Sequence, residues 1–263
     1  MRINFLLSLF FYFYPLFLFA DFYAQPGEII AVKLEVKSNK KNLFIIQVDG
    51  NYFALHPVPF DKQGKIISVE NNFIKVKVVD FGVSRIRIND DSQVNLSEHD
   101  KNRAFNEYKK TEKALTKFSI DNKSSLNFIS PVDGIISSKY GKKRFINDEP
   151  RSPHLALDIA APEGTKIVAP ENGEVILVDN FFYSGNFLII DHGFGLLSSY
   201  SHLSKMDVKK GQKIKKGEKI GEVGSSGRVT GPHLHWAVYL NSVKINPESL
   251  IKEDYINLIS YVR

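Results

Sequence analysis

Two periodicities divide the chain. Between Gly27 and about residue 95, short runs of β-branched and aromatic residues recur over 29–36, 43–48, 52–55, 66–69, 73–79 and 85–88, which predicts six strands of a small sandwich. Asp49-Gly50 falls between two of these runs and predicts a tight hairpin, because glycine tolerates the positive φ such a turn demands. Ser97 stands three residues before Asp100, the pattern of a capped helix start, and Ala104, Tyr108, Leu115 and Phe118 then recur at helical spacing. A linker helix is therefore expected over 96–120, with those four residues inward and the charges of 109–117 in solvent. Over 126–250 the runs are again short, now punctuated by turns: 13 of the 17 glycines lie between Gly134 and Gly231. The expected fold class is all-β, with a sandwich-like region over 26–95 that folds separately from a larger β-rich domain. The tail 251–263 is expected to add a short helix with Tyr255, Ile259 and Val262 inward.

Residues 3–20 follow Met1-Arg2 without a single charge and are dominated by Phe and Leu, as in a secretory signal. Ala20 and Ala24 are the candidate cleavage points, and an uncleaved membrane anchor is the alternative. At 263 residues the chain suits two modest domains, and 43% hydrophobic against 24% charged residues excludes a disordered chain. The formal charge of +6 suits an anionic partner without choosing among a cell wall, a membrane surface and nucleic acid. The basic residues are dispersed and lack interleaved aromatic motifs, so no nucleic-acid partner is expected. With no cysteine, disulfides, thiolate metal sites and cysteine nucleophiles are excluded, and any metal must sit on His, Asp or Glu.

Five of the seven histidines lie in the glycine-rich half. His154 and Asp158 are four residues apart before Ala160-Ala161-Pro162, which suits a strand or loop rather than a helix. On an ideal strand they would stand about 13 Å apart, too far for ligands of one ion, so the backbone must bend if both bind metal. His233-Leu234-His235 follows Gly231-Pro232 and should open a strand with both imidazoles on one face; a metal pair and a hydrogen-bonded pair at a sheet edge are both open readings. His202, in Tyr200-Ser201-His202-Leu203, adds a third imidazole. Together they can supply a three-ligand zinc site with the fourth position open. His192 reads as a turn residue. Tyr200 either donates to a developing oxyanion or packs, and Arg144 and Arg151 are either surface arginines or partners for the carboxylates of a peptide.

The motifs around His154-Leu-Ala-Leu-Asp158, Tyr200-Ser-His202-Leu and Val223-Gly-Ser-Ser-Gly-Arg-Val-Thr-Gly-Pro-His233-Leu-His235, in that order and spacing, resemble the M23 family, the lysostaphin-like or LytM-like zinc peptidases of bacterial peptidoglycan. The region from Gly27 more weakly resembles a domain that precedes the peptidase in some M23 proteins of Gram-negative bacteria. The resemblance implies an antiparallel sheet with a groove, zinc held by His154, Asp158 and His235, and two unligated catalytic histidines, His202 and His233. His233 is assigned as base and His202 as stabiliser of the oxyanion, with the reverse assignment open. Where the family has a small residue followed by Gly between its first two ligands, this chain has Leu155-Ala156. The implied function is hydrolysis of peptidoglycan stem-peptide crosslinks in the periplasm, at the bond from D-Ala to meso-diaminopimelate, with the N-terminal region restricting the groove. The alternative is a catalytically silent regulator that binds another wall hydrolase. A lipoyl-type carrier, suggested by Val208-Lys-Lys-Gly, lacks the exposed lysine motif such domains carry.

Overall fold

The computed structural model describes residues 22–35, 42–88, 96–120, 124–252, 255 and 259–262. The export segment expected over 1–20 lies outside them. Among the described residues the fold is all-β with two helices, Glu98–Leu115 and Pro247–Leu250, and no helix is long and apolar enough to cross a membrane.

The hairpin Phe44–Val48 and Asn51–Pro57 turns at Asp49 (φ 47°) and Gly50 (φ 78°), the two left-handed residues a two-residue turn requires. Asn51–Pro57 continues onto Ile29–Leu34, whose other edge takes Ser260–Val262 in parallel. The end of the tail is thus a strand where a helix was expected, although Tyr255, Ile259 and Val262 are buried as expected. This four-stranded sheet lies over a three-stranded one of Phe22–Ala24, Asn72–Val76 and Ile66–Val69, with Ala24, Ile30, Val32, Ile74, Val76 and Val262 between them. The sandwich has a second apolar face. Ile29, Phe44, Phe53 and Leu55 share one continuous core with Leu157, Trp236 and Leu240, so apolar packing crosses the boundary that composition suggested.

The sixth strand of this region, Val83–Ile86, leaves the sandwich and pairs in parallel with Lys142–Ile146, itself paired with Glu149–His154. Phe60, Phe81 and Tyr140, with ring centroids 5.6 to 6.0 Å apart, clamp this junction. At Gly141 (φ 90°) a Cβ would come within 2.3 Å of the Phe81 ring, so the close approach needs glycine.

Ser97 Oγ accepts from the Asp100 amide and caps Glu98–Leu115 as expected. Of the four residues expected inward, Leu115 is buried and Ala104 and Phe118 are half-buried, Phe118 against Phe194, while Tyr108 turns outward, 59% exposed. The helix also docks through polar groups: Arg103 Nη2 donates to Asn180 Oδ1 at 3.2 Å, Glu107 Oε2 accepts from the Phe182 amide at 2.8 Å, and Lys110 pairs with Asp179 at 2.9 Å. Hydrophobic periodicity carries no signal of such a contact.

The large sheet runs in the order Lys213–Ile214, Gly173–Phe181, Gly185–Asp191, Leu196–Met206, His233–Leu240, Leu157–Ala160 and Ile135–Ser138. Its central strand, Leu196–Met206, is buried over its first eight residues, the unbroken run of a strand covered on both faces.

Candidate metal centre

The register of two strands places the first pair of site residues. His233–Leu240 runs antiparallel to Leu157–Ala160, with Asp158 opposite His235 and Ala160 opposite His233. Alternation turns both histidines to one side, while Leu234 and Trp236, fully buried, anchor the strand in the core. A slip of one residue would send Asp158 to the other face. His154 belongs to a different sheet. It ends Glu149–His154, and the chain bends at Leu155-Ala156 before Leu157–Ala160 begins. That bend is the one strand geometry demanded, and it brings His154 Nε2 to 2.9 Å from Asp158 Oδ1. His235 Nδ1 lies 2.7 Å from the same oxygen and 3.3 Å from His154 Nε2.

This donor set fits a metal ion. His154 Nδ1 is 3.1 Å from the Lys139 carbonyl, which only accepts, so Nδ1 carries the proton and Nε2 its lone pair. The Asp158 oxygen that faces Nε2 is also an acceptor when ionised. Two acceptors at that distance need a cation between them, a ring proton or a metal ion. Ligands about 2.0 to 2.1 Å from a tetrahedral zinc stand about 3.3 Å from one another; the three atoms lie 2.7 to 3.3 Å apart, so an ion would spread them by about half an ångström. Two imidazoles and a carboxylate are a zinc donor set that leaves one position open, and among the described residues no other three His, Asp or Glu groups converge in this way. Burial pushes the Asp158 carboxyl up, but the His154 and His235 rings outweigh it and hold it well below the usual carboxylate range. Burial takes His235 down to about 4, so its ring is neutral at neutral pH, as a ligand must be.

His202 and His233 stand beside this group. His202 has φ 69°, a left-handed conformation that costs a non-glycine residue about 1 kcal/mol or more, at a point where the pairing of Leu196–Met206 with Gly185–Asp191 slips. Its Nδ1 is 2.9 Å from the Ser226 carbonyl. Ser226 is held in turn: its Oγ donates to the Leu203 carbonyl at 2.7 Å and accepts from the Asn186 amide at 3.0 Å. Gly185 makes room for it, since a Cβ there would lie 2.3 Å from Ser226. His233 Nδ1 is 2.9 Å from the Gly231 carbonyl. Both rings therefore keep their proton on Nδ1 and offer a bare Nε2. Their centroids are 4.9 Å apart, and His233 Nε2 is 4.0 Å from Asp158 Oδ1. Burial, aided by the neighbouring His235 and His233 rings, takes His202 down to about 3. Asp158, His202, His233 and His235 line a groove of about 440 Å³, and Ser84, Ile86 and Ile88 of the N-terminal region form part of its wall.

The remaining candidates separate cleanly. Tyr200 is fully buried and its hydroxyl lies 2.8 Å from Ser198 Oγ, so it packs, and it does not line the groove. His192 sits at a turn as expected, with its ring sealed in the core: Nδ1 donates to the Asn172 carbonyl and Nε2 accepts from Ser198 Oγ, both at 2.7 Å. Arg151 is exposed, whereas Arg144 lines the groove. The Lys139 and Ser226 carbonyls, which fix two imidazoles, had no sequence signal, because every residue has a carbonyl.

Residues 152–247 match the model of Peptidase family M23. The chain is 41% identical over 119 residues to the peptidoglycan DD-endopeptidase ShyA of Vibrio cholerae, covering 44% of this chain and 28% of that protein. It is 39% identical over 97 residues to the DD-carboxypeptidase/endopeptidase Mpg of Neisseria meningitidis, covering 37% of this chain and 22% of that one. It therefore spans less than a third of the length of these curated relatives. A crystal structure of a candidate peptidase M23 from Pseudomonas aeruginosa superposes with a TM-score of 0.66 at 29% identity, covering 86% of this chain and 94% of that chain. That likeness extends beyond the peptidase region into the sheets that precede it.

Proposed function

We propose, from the match of residues 152–247 to the model of Peptidase family M23, that the chain is a zinc-dependent endopeptidase that hydrolyses the peptide crosslinks of bacterial peptidoglycan. The observation that carries this reading is the convergence of His154, Asp158 and His235 within 3.3 Å of one another beside two histidines that offer bare nitrogens to one groove. His154, Asp158 and His235 hold the metal, with the Lys139 carbonyl fixing the orientation of His154. Zinc bound there supplies a Lewis acid that polarises a scissile carbonyl and activates water. His233 Nε2, the nitrogen nearer the Asp158 ligand oxygen, takes the proton of the attacking water and returns it to the leaving amine. His202, whose Nδ1 proton is committed to the Ser226 carbonyl, would stabilise the developing oxyanion through a proton gained on Nε2, against the burial that keeps the free ring neutral.

The bond is that from D-Ala to meso-diaminopimelate, and the place of action is the periplasm, reached through the apolar segment over 3–20. The relatives named as peptidoglycan DD-endopeptidases and the composition of that segment support this finer reading. The test is incubation of the protein with crosslinked dimeric muropeptides. Conversion of dimers to monomers, abolished by a chelator and by His233→Ala, is the expected result. Uncut dimers together with stimulation of a separate wall amidase would replace this reading with that of a silent regulator.

A further inference from the structure

One cationic group in the groove has no role in holding the metal or moving a proton. Arg144 projects from Lys142–Ile146 into the groove that Asp158, His202 and His233 line. Its Nε–H is sealed from solvent and meets no acceptor among the described residues. A buried donor left unmade costs about 1 to 3 kcal/mol, and more when it is charged. Burial pushes the guanidinium down, with the Asp158 carboxylate acting against it, yet an arginine stays protonated.

The surroundings add positive charge. Arg151 stands directly opposite Arg144 in the antiparallel pair, an arrangement that like charges disfavour. Arg228 lines the same groove with its guanidinium over the Tyr183 ring at 4.2 Å, close enough to feel both other arginines. On the opposite edge Arg144 is paired in register with Ser84, which brings no charge. Arg144 and Arg228 thus share a groove in which Asp158, a metal ligand, is the only carboxylate among the described lining residues, and Arg151 adds a third charge just outside it. Such a cluster suits an incoming carboxylate, which a guanidinium grips through two parallel hydrogen bonds.

We propose that Arg144, supported by Arg228, is a specificity-determining residue that takes a free carboxylate of the substrate peptide beside the bond to be cut. The inference rests on the peptidase reading above. In the crosslink considered there, the amine released by hydrolysis sits on a carbon that also bears a carboxylate, so the recognised group is attached to the carbon next to the leaving nitrogen. Arg144 would then select peptides whose diamino acid keeps that carboxylate free over those in which it is amidated.

Equilibrium binding tests this without relying on turnover. The zinc-loaded protein is titrated calorimetrically with a stem tetrapeptide whose diaminopimelate carboxylate is free or amidated. The expected preference for the free acid is about tenfold, the effect of one charge-assisted hydrogen bond. Arg144→Gln should bring the ratio to about one, and Arg144→Lys, which keeps the charge and loses the fork, should leave an intermediate ratio. If Arg144→Gln does not fold, Arg144→Lys and Arg228→Gln carry the test, the latter also lowering the ratio. Equal binding of the two peptides by the wild type, or an unchanged ratio in Arg144→Gln, overturns the proposal. So does a variant that loses zinc while keeping the ratio, since Arg144 would then only balance Asp158. Dimer cleavage without the preference removes the subsite alone, and the preference without dimer cleavage removes the peptidase reading alone.

Discussion

The metal centre and the wall that faces it both join distant stretches of the chain, but only the metal centre is announced by short motifs. Asp158 and His235 are 77 residues apart and meet through strand register, yet each sits in a short motif, Asp158 four residues after His154 and His235 two after His233. The wall strand Val83–Ile86 lies about sixty residues from its partner Lys142–Ile146 and reaches the groove only because Phe60, Phe81 and Tyr140 clamp the junction. Chemistry that depends on spacing is written in short motifs, whereas the shape of the groove depends on long-range packing that no motif encodes.

The strongest way to separate the two regions is to remove chemistry without touching structure. His233→Ala and His202→Ala should each lower turnover by about 100- to 10,000-fold, the usual range for a lost proton-transfer or charge-stabilising group. Their melting temperatures should stay within a few degrees of the parent, which thermal unfolding beside a muropeptide assay checks. A collapse of stability in either variant would mean that the ring is structural.

Removing the other region should do the reverse. A chain starting at residue 124 loses Ile29, Phe44, Phe53 and Leu55 from the shared core, Phe44 from against Phe194 among them, and each large side chain uncovered forfeits roughly 1.5 to 3 kcal/mol. The expected outcome is aggregation or a melting temperature lowered by more than about 10 °C. A soluble, fully active fragment would show that the shared core is a contact between two self-sufficient domains.

The smallest effect concerns His192, buried in the core away from the groove. Burial takes its folded-state value down to about 4, against about 6.5 in the unfolded chain. Between those values the unfolded state binds more protons, so His192 leaves stability intact above pH 6.5 and erodes it as the pH falls towards 4, by at most about 3 kcal/mol. His192→Gln should show a smaller drop in melting temperature between pH 7 and pH 5 than the parent, and an equal drop would assign the acid sensitivity to other groups.

What was legible follows the same division. Asp49-Gly50 and the Ser97 cap were readable because a turn and a cap are local, and the bend between His154 and Asp158 followed from strand length alone. The polar docking of the helix was not, because Arg103 and Glu107 bond to the strand beneath while Tyr108 stays in solvent. The strand Ser260–Val262 was read as helix because its partner, Ile29–Leu34, lies at the far end of the sequence. Tyr200 stayed ambiguous because the irregularity that brings His202 beside Ser201 in the groove, while Tyr200 remains in the core, is a backbone feature without a composition signature.

The central claim is the division of labour between three ligands and two unligated histidines, and bound zinc per chain in single variants tests it most directly. The parent and His233→Ala should each hold about one zinc after dialysis, whereas Asp158→Ala should hold almost none, since a buried pair of imidazoles without the carboxylate is an incomplete site. Full occupancy in Asp158→Ala, or loss of zinc in His233→Ala, would contradict the assignment.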